Sequence, residues 1–150
     1  MSATLFETTP LAAPAVSAIR PSNRARNAGR ILTGIAIAFL TFDVGIKFAG
    51  VKEAVEGTVQ LGWQPHHLPI IGTIGLACLL LYIIPRTAPL GALLWTGYFG
   101  GAIATHLRLD NPLFSHILFP TYLAALIWGG LYLRDVRVRT LVQAIVRPAR

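Results

Sequence analysis

Four long apolar segments constrain this chain more than any other feature of its sequence. Each has about the 17 to 25 residues that a helix needs to cross a hydrocarbon core of roughly 30 Å. Of the 150 residues, 54% are hydrophobic and only 13% are charged, which is too apolar for a soluble domain of this length. The segments therefore predict an integral membrane protein. They comprise residues 31–50, 68–84, 89–107 and 113–133.

Short links between the segments predict how they are arranged. A proline-containing link at residues 85–89 joins the second segment to the third, and Asp110-Asn111-Pro112 precedes the fourth. Connections this short allow only antiparallel neighbours. The expected fold class is therefore an all-α membrane protein, a four-transmembrane-helix antiparallel bundle followed by a short C-terminal amphipathic helix.

The distribution of basic residues predicts the orientation of the chain, because Lys and Arg favour the cytoplasmic side of a membrane. With both termini in the cytoplasm, only Lys47, Lys52 and Arg108 lie outside. Removing any one span would place the two basic termini on opposite sides. We therefore expect a multi-pass protein of the cell inner membrane with cytoplasmic termini. Its cytoplasmic basic residues are Arg20, Arg24, Arg26, Arg30, Arg86, Arg134, Arg137, Arg139, Arg147 and Arg150.

Both ends of the chain lie outside the predicted membrane domain, residues 30–135. Residues 1–29 are rich in Ala, Pro, Thr and Ser and lack the continuous apolar run of a signal peptide, so we expect a disordered basic tail. Residues 136–150 are expected to form an amphipathic helix that lies on the anionic inner leaflet or folds back onto the bundle. Its apolar residues are Val138, Leu141, Val142, Ile145 and Val146.

Composition and motifs exclude several classes of function. Cys78 is the single cysteine, so one chain forms no disulfide, CxxC motif, thiolate zinc site or iron–sulfur cluster. The sequence has no phosphate-binding loop, dinucleotide fingerprint, zinc-protease motif or serine triad. Adjacent side chains such as those of His66-His67 diverge, which argues against a metal site there. The net charge of +7 reflects membrane orientation rather than nucleic-acid binding, because the arginines lie beside apolar runs.

Small residues in the third segment are interpreted as a packing surface. Gly97 and Gly101 form a small-xxx-small pair that lets a neighbouring backbone approach closely, and Ala104 and Thr105 continue it at helical spacing. Lipid offers no hydrophobic drive between helices, so such contacts hold a bundle together. Facing surfaces are expected from Gly129-Gly130 on the fourth helix and from Gly45 with Ala49 on the first.

Ionisable residues converge near the outer face in this topology. These are Lys47, His106, Arg108 and His116, with Asp43 about 6 Å deeper at 1.5 Å per residue. A charged side chain within a membrane is costly and is a functional candidate by default, with Lys47 as the nearest partner of Asp43. The alternatives are that Lys47 and Arg108 snorkel to the headgroups, that the Asp–Lys pair is only structural, and that the histidines are ordinary interfacial residues.

Several motifs carry a resemblance to a known family. The runs "GGAIATH" and "LYLRD", with "LGWQPHHLP" upstream and the lysine of "GIKF", resemble the DoxX-like family of small bacterial four-helix membrane proteins. The resemblance covers approximately residues 30–135. It implies a four-helix membrane fold and a distant relation to membrane components of quinone-linked sulfur oxidoreductases. It places functional interest on Lys47, Thr105, His106 and His116.

Two functions of different classes remain open. In the first, the protein is a membrane subunit of a quinone-linked oxidoreductase system, beside the lipid bilayer and an oxidoreductase partner protein, and a polar pocket at the outer face binds the quinone headgroup. In the second, it is a non-catalytic anchor or assembly partner. Haem b held by two histidines is disfavoured, because it needs a roomy cleft. The pocket residues are Asp43, Lys47, Thr105, His106, Arg108 and His116. The aromatic residues expected at the ring site or in an interface belt are Trp63, Trp95, Phe99 and Phe114.

Overall fold

The computed structural model describes residues 21–146, which are helical apart from short links. The expected all-α class is therefore confirmed for this part of the chain. Residues 1–20 of the predicted tail and residues 147–150 lie outside the described residues. The helices are α1 (Asn23–Ala49), α2 (Lys52–Gln60), α3 (Leu68–Ile83), α4 (Ala88–Arg108), α5 (Phe119–Arg134) and α6 (Val136–Val146), with a 3-10 turn at Pro65–His67 and a π-helical turn at Leu113–Ile117.

Local sequence determines where these helices begin and end. The Ser22 hydroxyl accepts a hydrogen bond from the Ala25 amide at 3.2 Å and caps α1, and Gly50 ends that helix with φ 60°. A proline occupies the first turn of α3, α4 and α5, where its missing N–H has no helical partner to lose. The segments predicted at 68–84 and 89–107 match α3 and α4 closely. The first helix instead begins at Asn23, so the end of the predicted tail is helical.

Three stretches of the described residues are long and apolar enough to cross a membrane: Asn23–Ala49, Pro65–Ile83 and Leu113–Arg134. The last combines the π-helical turn with α5. The remaining predicted span, residues 89–107, corresponds to α4, which is 21 residues long. Its glycine, threonine, tyrosine and tryptophan residues make it less apolar than the other three. The described residues thus support a membrane protein, and the count of four spans stays a prediction.

Helices α1, α3, α5 and α4 enclose the hydrophobic core. Helix α1 packs against α3 and α5, and α4 packs against the same two helices. The largest fully buried side chains come from all four: Trp95, Tyr82, Leu40, Ile127 and Leu131. We call the end of this assembly that carries α2 the α2 end, and the opposite end the α6 end.

Two close helix contacts depend on glycine. A Cβ at Gly29 of α1 would lie 2.8 Å from the carbonyl oxygen of Gly130 in α5. A Cβ at Gly91 of α4 would overlap the backbone of Tyr82 in α3. Backbones approach this closely only where the side chain is absent, as in other tightly packed membrane helices.

The packing surface predicted from the third segment is wrong. At Gly97 and Gly101, no described atom of a neighbouring element lies within 4 Å of the position a Cβ would take, and the same holds for Gly45. Of the expected facing surfaces, only Gly130 makes a close contact, and its neighbour is α1 rather than α4. Spacing alone identified small residues but not the helix face that each one occupies.

Arg137 ties the start of α6 to the link between α3 and α4. Its guanidinium donates to the backbone carbonyls of Pro85 at 2.6 Å and Arg86 at 3.1 Å. The same group donates to the Asp135 carboxylate, with the shorter distance 2.7 Å. These bonds lower the pKa of Asp135 below its usual value. At the α6 end, one charged side chain therefore joins the start of α6 to the link between α3 and α4.

Helix α6 leaves most of its apolar stripe uncovered. Val138 is buried among the core residues. The remaining stripe residues are exposed, with Ile145 at 72%. A fold-back of the whole helix would have buried them, so only the first turn of α6 packs on the core. The exposed stripe residues are Leu141, Val142, Ile145 and Val146.

Candidate binding cavity

A cavity of about 650 Å³ lies near the α2 end, between α1, α3, α4 and α5. Apolar side chains form most of its wall, including Ile71, Phe119 and Leu123. Gly97 and Gly101 also line it, so the space left by their missing side chains belongs to the cavity rather than to a helix contact. This volume lies within the range of sites that bind small organic molecules.

The polar part of the wall begins with an ion pair on α1. Lys47 Nζ lies 2.5 Å from Asp43 Oδ2 and also donates to the Asp43 carbonyl at 3.4 Å. The residues are four apart, so they share one face of the helix. Their side chains are 16% and 29% exposed, and both line the cavity. The pair places a neutralised ammonium and carboxylate beside an apolar volume.

Helix α4 contributes Thr105 and His106 to the same wall. The Thr105 hydroxyl donates to the Gly101 carbonyl at 2.9 Å, so the hydroxyl hydrogen is already bonded within the helix. His106 Nδ1 lies 2.9 Å from the side-chain amide nitrogen of Asn111. Four of the six predicted pocket residues, two from α1 and two from α4, therefore meet at one cavity.

His116 contacts His106 but does not line the cavity. The two rings meet edge to face with centroids 5.5 Å apart. His116 Nδ1 pairs with the Ser115 hydroxyl at 2.8 Å, and the side chain is exposed. Rings in direct contact leave no room for a porphyrin between them, so this arrangement does not fit haem ligation by the two histidines.

Arg108 lies outside the main cavity. Its guanidinium donates to the Leu61 carbonyl at 3.0 Å and lines a smaller space of about 310 Å³. A Cβ at Gly62, whose φ is 80°, would lie 2.9 Å from Arg108 Nη2. Trp63 and Thr105 line both spaces. Arg108 therefore secures the loop after α2 next to the cavity.

Helix α2 was not anticipated from the sequence, whereas Trp63 in the loop after it was among the predicted aromatic residues. Thr58, Leu61 and Trp63 cover the cavity from this side. One local pattern in the sequence does favour α2: Lys52 and Glu56 are four residues apart, the spacing of an ion pair on one face of a helix. In the structure their charged atoms lie 3.8 Å apart. A helix of nine residues among polar neighbours is too short to stand out by hydropathy.

The aromatic residues proposed for a ring site divide into three groups. Trp63 and Phe99 line the cavity. Trp95 is fully buried behind it, stacked on Phe99 with centroids 5.2 Å apart. Phe114 is 74% exposed and does not line the cavity. Tyr98, which no sequence pattern distinguished, lines the wall beside Phe99.

The model of the DoxX-like family matches residues 31–130. The chain belongs to the DoxX-like family. This confirms the resemblance found in the sequence. All residues that line the main cavity fall within the matched range, so the cavity is part of the DoxX-like domain, whereas α6 lies beyond it. No curated protein and no solved structure matches this DoxX-like chain.

Within residues 21–146 of the DoxX-like chain, no three His, Cys, Asp or Glu side chains are grouped so as to hold a metal ion. The polar groups at the cavity are instead an ammonium, a carboxylate, an imidazole, an indole and the hydroxyls of threonine and tyrosine. Such groups bind and orient organic ligands by hydrogen bonding. The chemistry available to the site is therefore hydrogen bonding and proton exchange next to an apolar volume.

Proposed function

We propose that the protein is a membrane subunit of a quinone-linked oxidoreductase system and that its main cavity binds the quinone headgroup. The observation that carries the proposal is the pairing of mostly apolar walls with a few polar groups at one side of a cavity of about 650 Å³. A quinone has the matching division between an apolar ring and tail and two carbonyl oxygens. Sites for such ligands are usually apolar, with few orienting polar groups.

The polar groups suit a ligand that gains negative charge at oxygen. The ammonium of Lys47 and the imidazole of His106 donate hydrogen bonds to carbonyl oxygens, and Asp43 keeps the lysine in place. Imidazole exchanges protons near neutral pH. A bound quinone would supply two-electron, two-proton redox chemistry, with electrons from an oxidoreductase partner protein. The residues of this chain bind the headgroup and hold or pass the protons.

The proposed setting is a four-span protein with both termini in the cytoplasm, in which α4 also crosses the membrane. In this orientation the α2 end and the cavity lie near the outer face of the membrane, and α6 lies at the inner leaflet. The exposed stripe of α6, with Arg137 and Arg139 in the same helix, supports contact with anionic lipid. Single introduced cysteines at positions 52 and 143 test this, since an impermeant thiol reagent applied to whole cells should label only the first.

Quinone titration of the purified protein in nanodiscs tests the proposed function. Trp63 lines the cavity, so a short-chain quinone should quench its fluorescence saturably. The variants His106→Gln and Lys47→Met should each weaken binding about tenfold, the loss expected for one charge-assisted or buried hydrogen bond. His66→Gln is the matched control, because His66 is exposed and does not line the cavity.

The two function classes give different outcomes. Saturable binding that is lost in His106→Gln and kept in His66→Gln, with unchanged circular dichroism, supports the redox subunit. Absence of saturable quenching in the wild type contradicts it and favours the non-catalytic anchor. An anchor would lose function only when its helix contacts or partner surface are damaged.

A further inference from the structure

Asn111 holds His106 through two contacts just after α4. Its backbone amide donates to the His106 carbonyl at 3.2 Å, and its side-chain Nδ2 lies 2.9 Å from His106 Nδ1. Asp110, with φ 49°, donates to the Leu107 carbonyl in the same turn. These two backbone bonds are those of a Schellman motif, and Pro112 follows where such helix ends commonly carry proline. Backbone geometry therefore places the Asn111 amide beside the imidazole.

The amide of Asn111 decides which nitrogen of a neutral His106 carries hydrogen. Asn111 Nδ2 is only a donor, so His106 Nδ1 must accept. A neutral imidazole has a single N–H, which is then at Nε2. Because His106 lines the cavity, this N–H is the one hydrogen-bond donor of its neutral ring that is available to a ligand.

We propose that Asn111 is a positioning residue: it fixes the Nε2–H tautomer of His106 and thereby makes the cavity select ligands that present an acceptor oxygen. The ligand class, a quinone carbonyl in preference to a hydroquinone hydroxyl, whose phenolic oxygen is the weaker acceptor, rests on the proposed function. The tautomer does not, since it follows from the contact with Asn111 alone.

His116 has no equivalent constraint. Its Nδ1 pairs with the Ser115 hydroxyl, which both donates and accepts, so that contact does not select a tautomer. His116 also lies outside the cavity wall. Ser115→Ala is therefore a matched control, because it removes the polar partner of the neighbouring histidine and leaves His106 with Asn111.

Nitrogen NMR of protein labelled with ¹⁵N-histidine in nanodiscs tests the tautomer without any ligand. Spectra are recorded about two units above the imidazole reference pKa near 6.5, where the ring is neutral. We expect His106, assigned by its loss in His106→Gln, to show hydrogen on Nε2 and none on Nδ1. Hydrogen on Nδ1 in the wild type overturns the proposal. This arm needs only the folded wild-type protein and the assignment variant.

The variant Asn111→Asp sharpens the test, because a carboxylate accepts where the amide donated. We expect hydrogen to move to Nδ1 of His106, while Ser115→Ala leaves the His106 signals unchanged. If the aspartate variant does not fold, Asn111→Leu should give a measurable Nδ1–H population. An unchanged His106 spectrum in a folded Asn111 variant overturns the role of Asn111.

Ligand titration separates this inference from the proposed function. In Asn111→Asp we expect the affinity ratio of a short-chain quinone to its hydroquinone to fall three- to tenfold, about one net hydrogen bond. An unchanged ratio overturns the selection step. If the wild type binds neither form, the proposed function fails while the tautomer is still decided by NMR. If quinone binds but the tautomer is wrong, the function stands and this inference fails.

Discussion

Gly91 of α4 lies so close to Tyr82 of α3 that a methyl group at position 91 would overlap the Tyr82 backbone. Gly97, six residues further along α4, faces the cavity with open space around it. One helix therefore uses glycine for two purposes, close packing at the α6 end and cavity volume toward the α2 end.

Substitution by alanine distinguishes these two purposes. Gly91→Ala should lower the free energy of unfolding by about 1 to 3 kcal/mol, since a tightly packed backbone cannot accept an added methyl group. Gly97→Ala should be neutral or stabilising by up to about 1 kcal/mol through helix propensity. Unfolding in a denaturing detergent series measures both. Equal effects of the two substitutions would contradict the assignment of Gly91 to the α3–α4 contact.

A larger side chain at Gly101 should fill the cavity. Gly101→Leu places an isobutyl group in the proposed ligand space, so quinone affinity should fall about tenfold or more while the helical circular dichroism is kept. Gly34→Leu is the control, because position 34 is also open but does not line the cavity. Binding that survives Gly101→Leu would mean that the ligand occupies another site.

The Asp43–Lys47 pair should be more sensitive to loss of one partner than of both. Lys47→Met leaves a carboxylate without its partner and should destabilise the protein by about 1 to 3 kcal/mol, between the values for exposed and for fully buried pairs. The double variant Asp43→Asn with Lys47→Met should regain much of this stability and still bind quinone poorly. A double-mutant cycle on detergent unfolding measures the coupling. Additive effects would show that the pair has no energetic role.

Stability at low pH should depend on Arg137. Its hydrogen bonds lower the pKa of Asp135, so the folded protein binds that proton less readily than the unfolded chain. The stabilisation is complete above the ordinary pKa near 3.9 and is lost as the pH falls through the lowered value. Arg137→Gln should therefore cost about 1 to 2 kcal/mol at neutral pH, and progressively less as the pH falls below the ordinary carboxyl pKa near 3.9.

The remaining difference at low pH reflects the Pro85 and Arg86 carbonyls, which Arg137 still binds when Asp135 is protonated. Arg139→Gln is the control, since it removes the same charge from α6 without touching Asp135 or that link. Thermal unfolding between neutral pH and about pH 2, well below the ordinary carboxyl pKa, provides the comparison. A constant gap between wild type and Arg137→Gln at all pH values would exclude the carboxylate from the effect.

Hydropathy and proline positions predicted α3 and α4 almost to the residue, because both signals are local. The cavity could be predicted only in part: the polar residues near the α2 end were identified, but whether Gly97 faces a helix or a void depends on packing with other helices. The bonds of Arg137 could not be predicted, since their carbonyl partners lie 51 and 52 residues away. The contact between Asn111 and His106 joins residues only five apart in the sequence. It could not be predicted because it requires a left-handed turn at Asp110, where glycine is the usual residue.

The ion pair at the cavity belongs entirely to α1, and this has a consequence for biogenesis. Helix α1 leaves the ribosome before any residue of α3, α4 or α5 has been made. Asp43 and Lys47 neutralise each other within that single helix, so the cost of bringing charge into the bilayer is reduced at the translocon without help from later segments. The cavity thus acquires its charged groups from a helix that can insert on its own, and the apolar walls assemble around them afterwards.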